Sequence, residues 1–96
     1  MMDMRYFKDN IAPQLSNYKL TYSSYPKGDF GSLERVVIEG NGKIAGIDIW
    51  STGWLDIDIY DLLVDKQVMN VLLERIEIQK QEDSIKQFLD ILLNEK

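Results

Sequence analysis

The chain contains no cysteine and no histidine in 96 residues. The first absence excludes disulfide staples, zinc–thiolate sites and thiol nucleophiles. The second removes the commonest general base and metal ligand. Proline occurs only twice, and no apolar run approaches the roughly eighteen residues of a membrane span. The opening stretch Met1-Met2-Asp3-Met4-Arg5-Tyr6-Phe7-Lys8 carries charges where a secretory leader needs apolar residues, so a cytoplasmic location is expected. Basic residues are outnumbered, 11 against 16 acidic, and the net charge of −5 has the wrong sign for gripping a phosphate backbone. Neither nucleic acid nor membrane is an expected partner. What is present, 45% hydrophobic and 28% charged residues, is the balance of a folded globular chain. Its length suits one domain spanning residues 1–96, without repeats or low-complexity segments.

Both ends read as helices. Met4, Phe7 and Ile11 recur at helical spacing, and Pro13 predicts an end near Ala12. Ile85, Phe88, Leu89, Leu92 and Leu93 form a second apolar stripe, with Glu82 and Asp83 expected in or before its first turn. Between them the pattern is that of strands: Tyr18 to Tyr25, Glu34 to Glu39, Lys43 to Trp50 and Trp54 to Tyr60. The stretch Tyr25-Pro26-Lys27-Gly28-Asp29-Phe30-Gly31-Ser32 reads as a loop. From Lys66 to Ile78 two periods compete. Arg75-Ile76-Glu77-Ile78 alternates like a strand, whereas Met69, Leu72, Leu73 and Ile76 fit a helix, and the strand is the favoured reading. The expected fold class is therefore α+β: an antiparallel meander of about five strands with an N-terminal and a C-terminal helix in two layers.

Turn geometry fixes which residues face each other. A two-residue loop at Asn41-Gly42 pairs Gly40 with Lys43, Ile38 with Ala45, Val36 with Ile47, Val37 with Gly46 and Arg35 with Asp48. A three-residue loop at Ser51-Thr52-Gly53 pairs Trp50 with Trp54, Ile49 with Leu55, Ile47 with Ile57 and Ala45 with Ile59. A two-residue loop there would set Asp56 opposite Ile49 and mix the faces, so it is rejected. One face then collects Val36, Ile38, Ala45, Ile47, Ile49, Leu55, Ile57 and Ile59 as the core, on which the C-terminal helix is expected to pack. The other carries Arg35, Val37, Ile44, Asp48, Trp50, Trp54, Asp56, Asp58 and Tyr60.

That second face mixes rigid aromatic anchors with charge, the composition of protein–protein hot spots. Arg35, Asp48, Trp50, Trp54, Asp56, Asp58 and Tyr60 are accordingly the candidate partner-binding residues. Two blander readings stand beside this one. Arg35–Asp48–Asp56 could be a structural charge ladder, worth little if exposed. The tryptophans could lie under a loop or the first helix, or form a homodimer contact.

Catalysis and metal binding are set aside. Asp56 and Asp58 lie about 7 Å apart along one strand face, but Asp56-Ile57-Asp58-Ile59-Tyr60-Asp61 lacks the glycine and spacing of a calcium loop. A pleated strand offers no concave pocket in which a carboxylate becomes an acid or base. Gly40-Asn41-Gly42 is a hairpin turn and not a phosphate loop. No catalytic residue, metal site or cofactor is expected. Bases could stack on the aromatics, but the aspartates would repel their phosphates.

The run Lys43-Ile44-Ala45-Gly46-Ile47-Asp48-Ile49-Trp50-Ser51-Thr52-Gly53-Trp54-Leu55-Asp56-Ile57-Asp58-Ile59 resembles a family of small bacterial immunity proteins of the TriTu type, found with polymorphic or contact-dependent toxin systems. The likeness lies in a strand ending in tryptophan, a short glycine-bearing turn, and a strand alternating acid with aliphatic residues. It extends in outline to a leading helix, about five strands and a closing helix like Glu82 to Asn94. The resemblance implies a non-enzymatic protein that binds and neutralises a cognate toxin in the cytoplasm; a basic toxin domain is the expected partner because opposite potentials speed encounter with an acidic chain. It also favours a strand within Lys66 to Ile78. Two positions depart from the family pattern: Leu63-Val64-Asp65-Lys66 stands where a glycine turn is expected, and Trp54 stands where a polar residue is usual. The alternative function is a homodimeric interaction module with no toxin partner.

Overall fold

The computed structural model describes residues 2–28 and 31–94; Asp29 and Phe30 of the expected loop lie outside the described residues. The fold is α+β. One antiparallel sheet holds β1 (Lys19–Tyr25), β2 (Leu33–Gly40), β3 (Lys43–Trp50), β4 (Leu55–Asp61) and β5 (Lys66–Leu73), each hydrogen-bonded to the next in chain order. Helices α1 (Met4–Tyr6) and α2 (Ile78–Leu93) lie at the two ends of the chain.

The turns explain the registers. Asn41 and Gly42 both take positive φ, 49° and 75°, as a tight hairpin turn requires. Gly40 then pairs with Lys43 and Arg35 with Asp48. At the next hairpin Gly53 N–H donates to Trp50 O at 2.9 Å, and Trp50 N–H donates to Trp54 O at 3.1 Å. Gly53 has φ 98°, and a Cβ there would lie 2.5 Å from the Arg75 side chain, so only glycine fits. Ile49 faces Leu55 and Asp48 faces Asp56, as the three-residue loop demands. The last hairpin works without glycine. Asp65 itself adopts φ 55°, and Asp61 Oδ1 accepts the Leu63 N–H at 2.9 Å.

All eight expected core residues of β2, β3 and β4 are buried. Met69 and Leu73 of β5 join them, with Phe88 and Leu92 from α2 and Phe7, Ile11 and Leu15 from the N-terminal segment. Both helical segments therefore cover the same side of the sheet, giving two layers. Burying each large side chain contributes roughly 1.5–3 kcal/mol before conformational entropy is subtracted.

Three boundaries differ from the sequence expectation by more than one residue. The N-terminal segment does not end at Ala12 but winds on to Leu15. Asp3 caps α1, its Oδ1 accepting the Tyr6 N–H at 2.7 Å. The following turn, Phe7–Ile11, widens so that the Ala12 N–H reaches Phe7 O, and Pro13 sits at the start of a tighter turn, Ala12–Leu15. Proline has no N–H for the ordinary bond four residues back, and the altered turns absorb that loss. The strand expected over Lys66 to Ile78 stops at Leu73, and Ile78 already belongs to α2. Arg75 and Ile76 form the turn between them. Hence Glu82 and Asp83 lie beyond the first turn of α2, which contains no acidic residue. Glu77 instead folds back, its Oε1 accepting the Glu74 N–H at 3.0 Å. That bond, with help from Lys80, holds the Glu77 carboxyl below its usual range.

Gln81 anchors this junction. It is buried, and its Nε2 donates to Gly53 O at 3.2 Å and to Glu74 O at 2.8 Å, tying α2 to the β3–β4 turn. At the other end of α2, the buried Tyr18 hydroxyl donates to Leu92 O at 2.5 Å, serving a carbonyl in the last turn. Gln81→Leu keeps the volume but leaves both carbonyls without that donor. It is expected to cost about 1–3 kcal/mol in urea denaturation, with an unchanged m-value.

Candidate functional site

The sheet face opposite the helices is where strand alternation places the candidate residues. Its cross-strand rows follow from the pairing. One row runs Tyr25, Leu33, Trp50 and across the turn to Trp54. The next runs Ser23, Arg35, Asp48, Asp56 and Leu72. The third is Thr21, Val37, Gly46, Asp58 and Asn70, and the fourth contains Glu39, Ile44, Tyr60 and Gln67. All seven candidate residues thus share one face, and all are half-buried. Neither indole is sealed into the core, although both Trp50 and Trp54 are partnered within the fold.

Arg35 grips Asp48 with two bonds, Nε to Oδ1 at 2.6 Å and Nη2 to Oδ2 at 2.9 Å. The guanidinium also lies 5.6 Å from the centre of the Tyr25 ring. The hydrogen bond to Asp48 is the main cause that raises the Arg35 pKa further above neutrality, so the arginine is always charged here. Asp56 differs: among the described residues no donor bonds its buried Oδ1. Burial first, then the charges of Asp58 and Asp48, raises the Asp56 carboxyl above the ordinary range, with Arg35 opposing. Asp58 is raised by burial and by Asp48, again against Arg35. Room for the Asp58 carboxylate comes from Gly46, where a Cβ would touch its two oxygens at 3.4 and 3.5 Å. Tyr60 is braced by donating its hydroxyl to Asp65, the bond that chiefly raises its own pKa.

Electrostatically the face has one fixed cation, already committed to Asp48, and two further carboxylates held in partly desolvated positions. That arrangement accepts hydrogen bonds and positive charge. Among the described residues no group of three or more acidic side chains is arranged to hold a metal ion. A cleft of about 470 Å³ lies on the other layer, between the N-terminal segment and α2, lined by Tyr6, Ile11, Ile85 and Leu89 among others. None of the candidate residues reaches it. Among the described residues no helix is long and apolar enough to cross a membrane.

Four participants escaped the sequence reading. Tyr25 lies under Arg35 because β1 pairs Tyr25 with Leu33, a register set by a long loop without a two-residue turn signature. Gly46 makes space for Asp58, and only the derived Val37–Gly46 pairing hinted at its place. Leu72 and Asn70 extend the rows onto β5, whose register depended on the glycine-free turn. No protein-family model, curated protein or solved structure matches this chain.

The pKa directions give a signed pH dependence. Asp56 and Asp58 hold protons more readily folded than unfolded, so their contribution to stability rises as pH falls through their raised folded values. Above those values the penalty is present in full. Asp56→Asn removes the like-charge pair with Asp48, and is expected to stabilise the fold at neutral pH by about 0.2–1 kcal/mol. Thermal melts at several pH values check this: the gain narrows as pH approaches the ordinary aspartate value of about 4.

Proposed function

We propose that this chain is a non-enzymatic binding protein of the bacterial immunity type, which neutralises a cognate toxin by direct contact through the open sheet face. The observation that carries the reading is the open face itself, where Asp56 and Asp58 stand half-buried and partly desolvated among Trp50, Trp54 and Tyr60. Partly desolvated carboxylates gain most from a charged donor, and a guanidinium or ammonium of a partner supplies one to their exposed oxygens. Trp50, Trp54 and Tyr60 flank the carboxylates as aromatic anchors, the residue types that dominate binding energy at interfaces. The likeness of residues 43–59 to the TriTu-type immunity proteins supports the same reading. So does the net charge of −5, because opposite potentials speed encounter with a basic toxin domain. Toxins that attack nucleic acid tend to carry basic clefts, and such a toxin would be met in the cytoplasm. The role requires neither cofactor nor metal.

A homodimer formed face to face is disfavoured by the same geometry. It would set Asp48, Asp56 and Asp58 against their own copies, with Arg35 already engaged. The test is coexpression with a basic toxin domain encoded beside this gene, followed by calorimetric titration. The pair Trp50→Ala with Asp56→Ala is expected to weaken binding at least about tenfold, leaving the melting midpoint within a few degrees of the parent. Unaltered affinity overturns the placement of the contact. Failure of any toxin encoded beside the gene to bind overturns the immunity role.

A further inference from the structure

The sheet is open, and its two edges differ. β1 displays Thr21 and Ser23 toward the open face. Arg35 covers Tyr25 on that face, and on the other side the Lys8 ammonium lies 4.8 Å from the centre of the Tyr22 ring. Hydroxyls and overlying cations blunt that edge. β5 carries neither device, and only a bulge at Val68, where Ile59 pairs with Met69 and Tyr60 with Gln67, interrupts it. Lys66-Gln67-Val68-Met69-Asn70-Val71-Leu72-Leu73 holds no proline and one charge, at its first residue, and is rich in strand-forming side chains. Val68 is 39% exposed and Leu72 is 51% exposed, both within β5.

The backbone groups of this edge can be assigned. The Trp50–Trp54 bond means that Asp56, Asp58 and Tyr60 turn their backbone groups toward β3. Leu55, Ile57 and Ile59 therefore turn theirs toward β5, where they meet Leu73, Val71 and Met69. By the same alternation Asn70 and Leu72 direct their N–H and C=O groups away from β4. Among the described residues no strand lies beyond them.

We infer that β5 is a self-association edge, and that its partner is the β5 strand of a second copy of this chain, antiparallel about a two-fold axis at Asn70. That axis exchanges backbone bonds between the two Asn70 residues and brings each Leu72 to the other chain's Val68, where the bulge ends the regular part of the strand. Charge fixes the direction. Antiparallel pairing lays the Lys66 end of each strand beside the exposed Glu74 end of the other, whereas parallel pairing would set Lys66 against Lys66. The two sheets join into one, and the two aspartate-bearing faces remain open. This edge borders the face proposed above to bind a toxin, because Leu72 lies beside Asp56, whereas the Lys66–Glu74 exchange lies outside that face and tests the edge alone.

The experiment is sedimentation equilibrium of the full chain from micromolar to hundreds of micromolar, with amide hydrogen exchange at both extremes. The expected result is a concentration-dependent rise toward twice the 11.2 kDa chain mass, with protection gained at the Asn70 and Leu72 amides. Leu72→Lys, at an exposed position, is expected to weaken association at least about tenfold. Lys66→Glu weakens it too, and adding Glu74→Lys restores it. A wild-type chain that stays monomeric with both amides unprotected overturns the proposal. So does a dimer indifferent to Leu72→Lys and to the charge exchange.

Discussion

Strand parity, imposed by two short turns, is the constraint on which the molecule depends. A strand has only two faces, and a slip of one residue exchanges them. Asn41-Gly42 and Ser51-Thr52-Gly53 leave no freedom for that slip, because their backbone angles demand the residues found there. Once Arg35 is opposite Asp48 and Trp50 is opposite Trp54, every isoleucine of β3 except Ile44 faces inward and every aspartate of β4 except the terminal Asp61 faces outward. The buried cluster and the charged face are two consequences of one decision. A disturbance at either turn would therefore reach both stability and recognition.

The charged face is stable only because the apolar side carries the fold. Asp48 opposite Asp56 works against folding, and like charges so placed oppose pairing by a few tenths of a kcal/mol to about one. The bidentate Arg35 bond offsets part of this, but it is committed to one carboxylate and its side chain is 40% exposed, so its net worth is modest. Against it stands a core in which Phe7, Phe88 and four isoleucines of the sheet are wholly sealed from solvent. A sheet held this firmly from one side tolerates an unsatisfied carboxylate on the other. Such local conflict between sequence and stability is the pattern expected where residues serve a task other than folding.

How far the sequence discloses this depends on the length scale of the signal. The β2–β3–β4 registers were legible residue by residue because short turns with glycine in fixed places encode them locally. The α2 stripe was legible from Ile85, Phe88, Leu89 and Leu92, but its start was not. Arg75 to Ile78 alternates, yet what ends β5 is the junction made by Gln81, Glu77 and Glu74, whose bonds link residues distant in the chain or mutual only after folding. Pro13 misled in a similar way, since the helical segment adjusts its turns and continues where a single-residue rule predicts a stop. At the site, the identity of the candidate residues followed from alternation alone. The orphaned Asp56 oxygen and the Tyr25 ring beneath Arg35 did not, because each needs two strands and a rotamer at once.

Both helical segments lie on one layer, and that asymmetry decides what the sheet has left to offer. With α2 and the N-terminal turns spent on the apolar side, no further element among the described residues lies across the aspartates or along β5. The two exposed features also differ in chemistry: the face is rich in acceptors and aromatic surface, while the edge is nearly neutral and presents backbone groups with aliphatic side chains. Surfaces so unlike favour unlike partners, a cationic protein for the one and an identical strand for the other. Pairing through β5 adds no aspartate-on-aspartate contact, because the two open faces then lie side by side instead of against each other. Self-association and partner binding are in that geometry compatible, and a paired sheet would offer two docking faces on one rigid body.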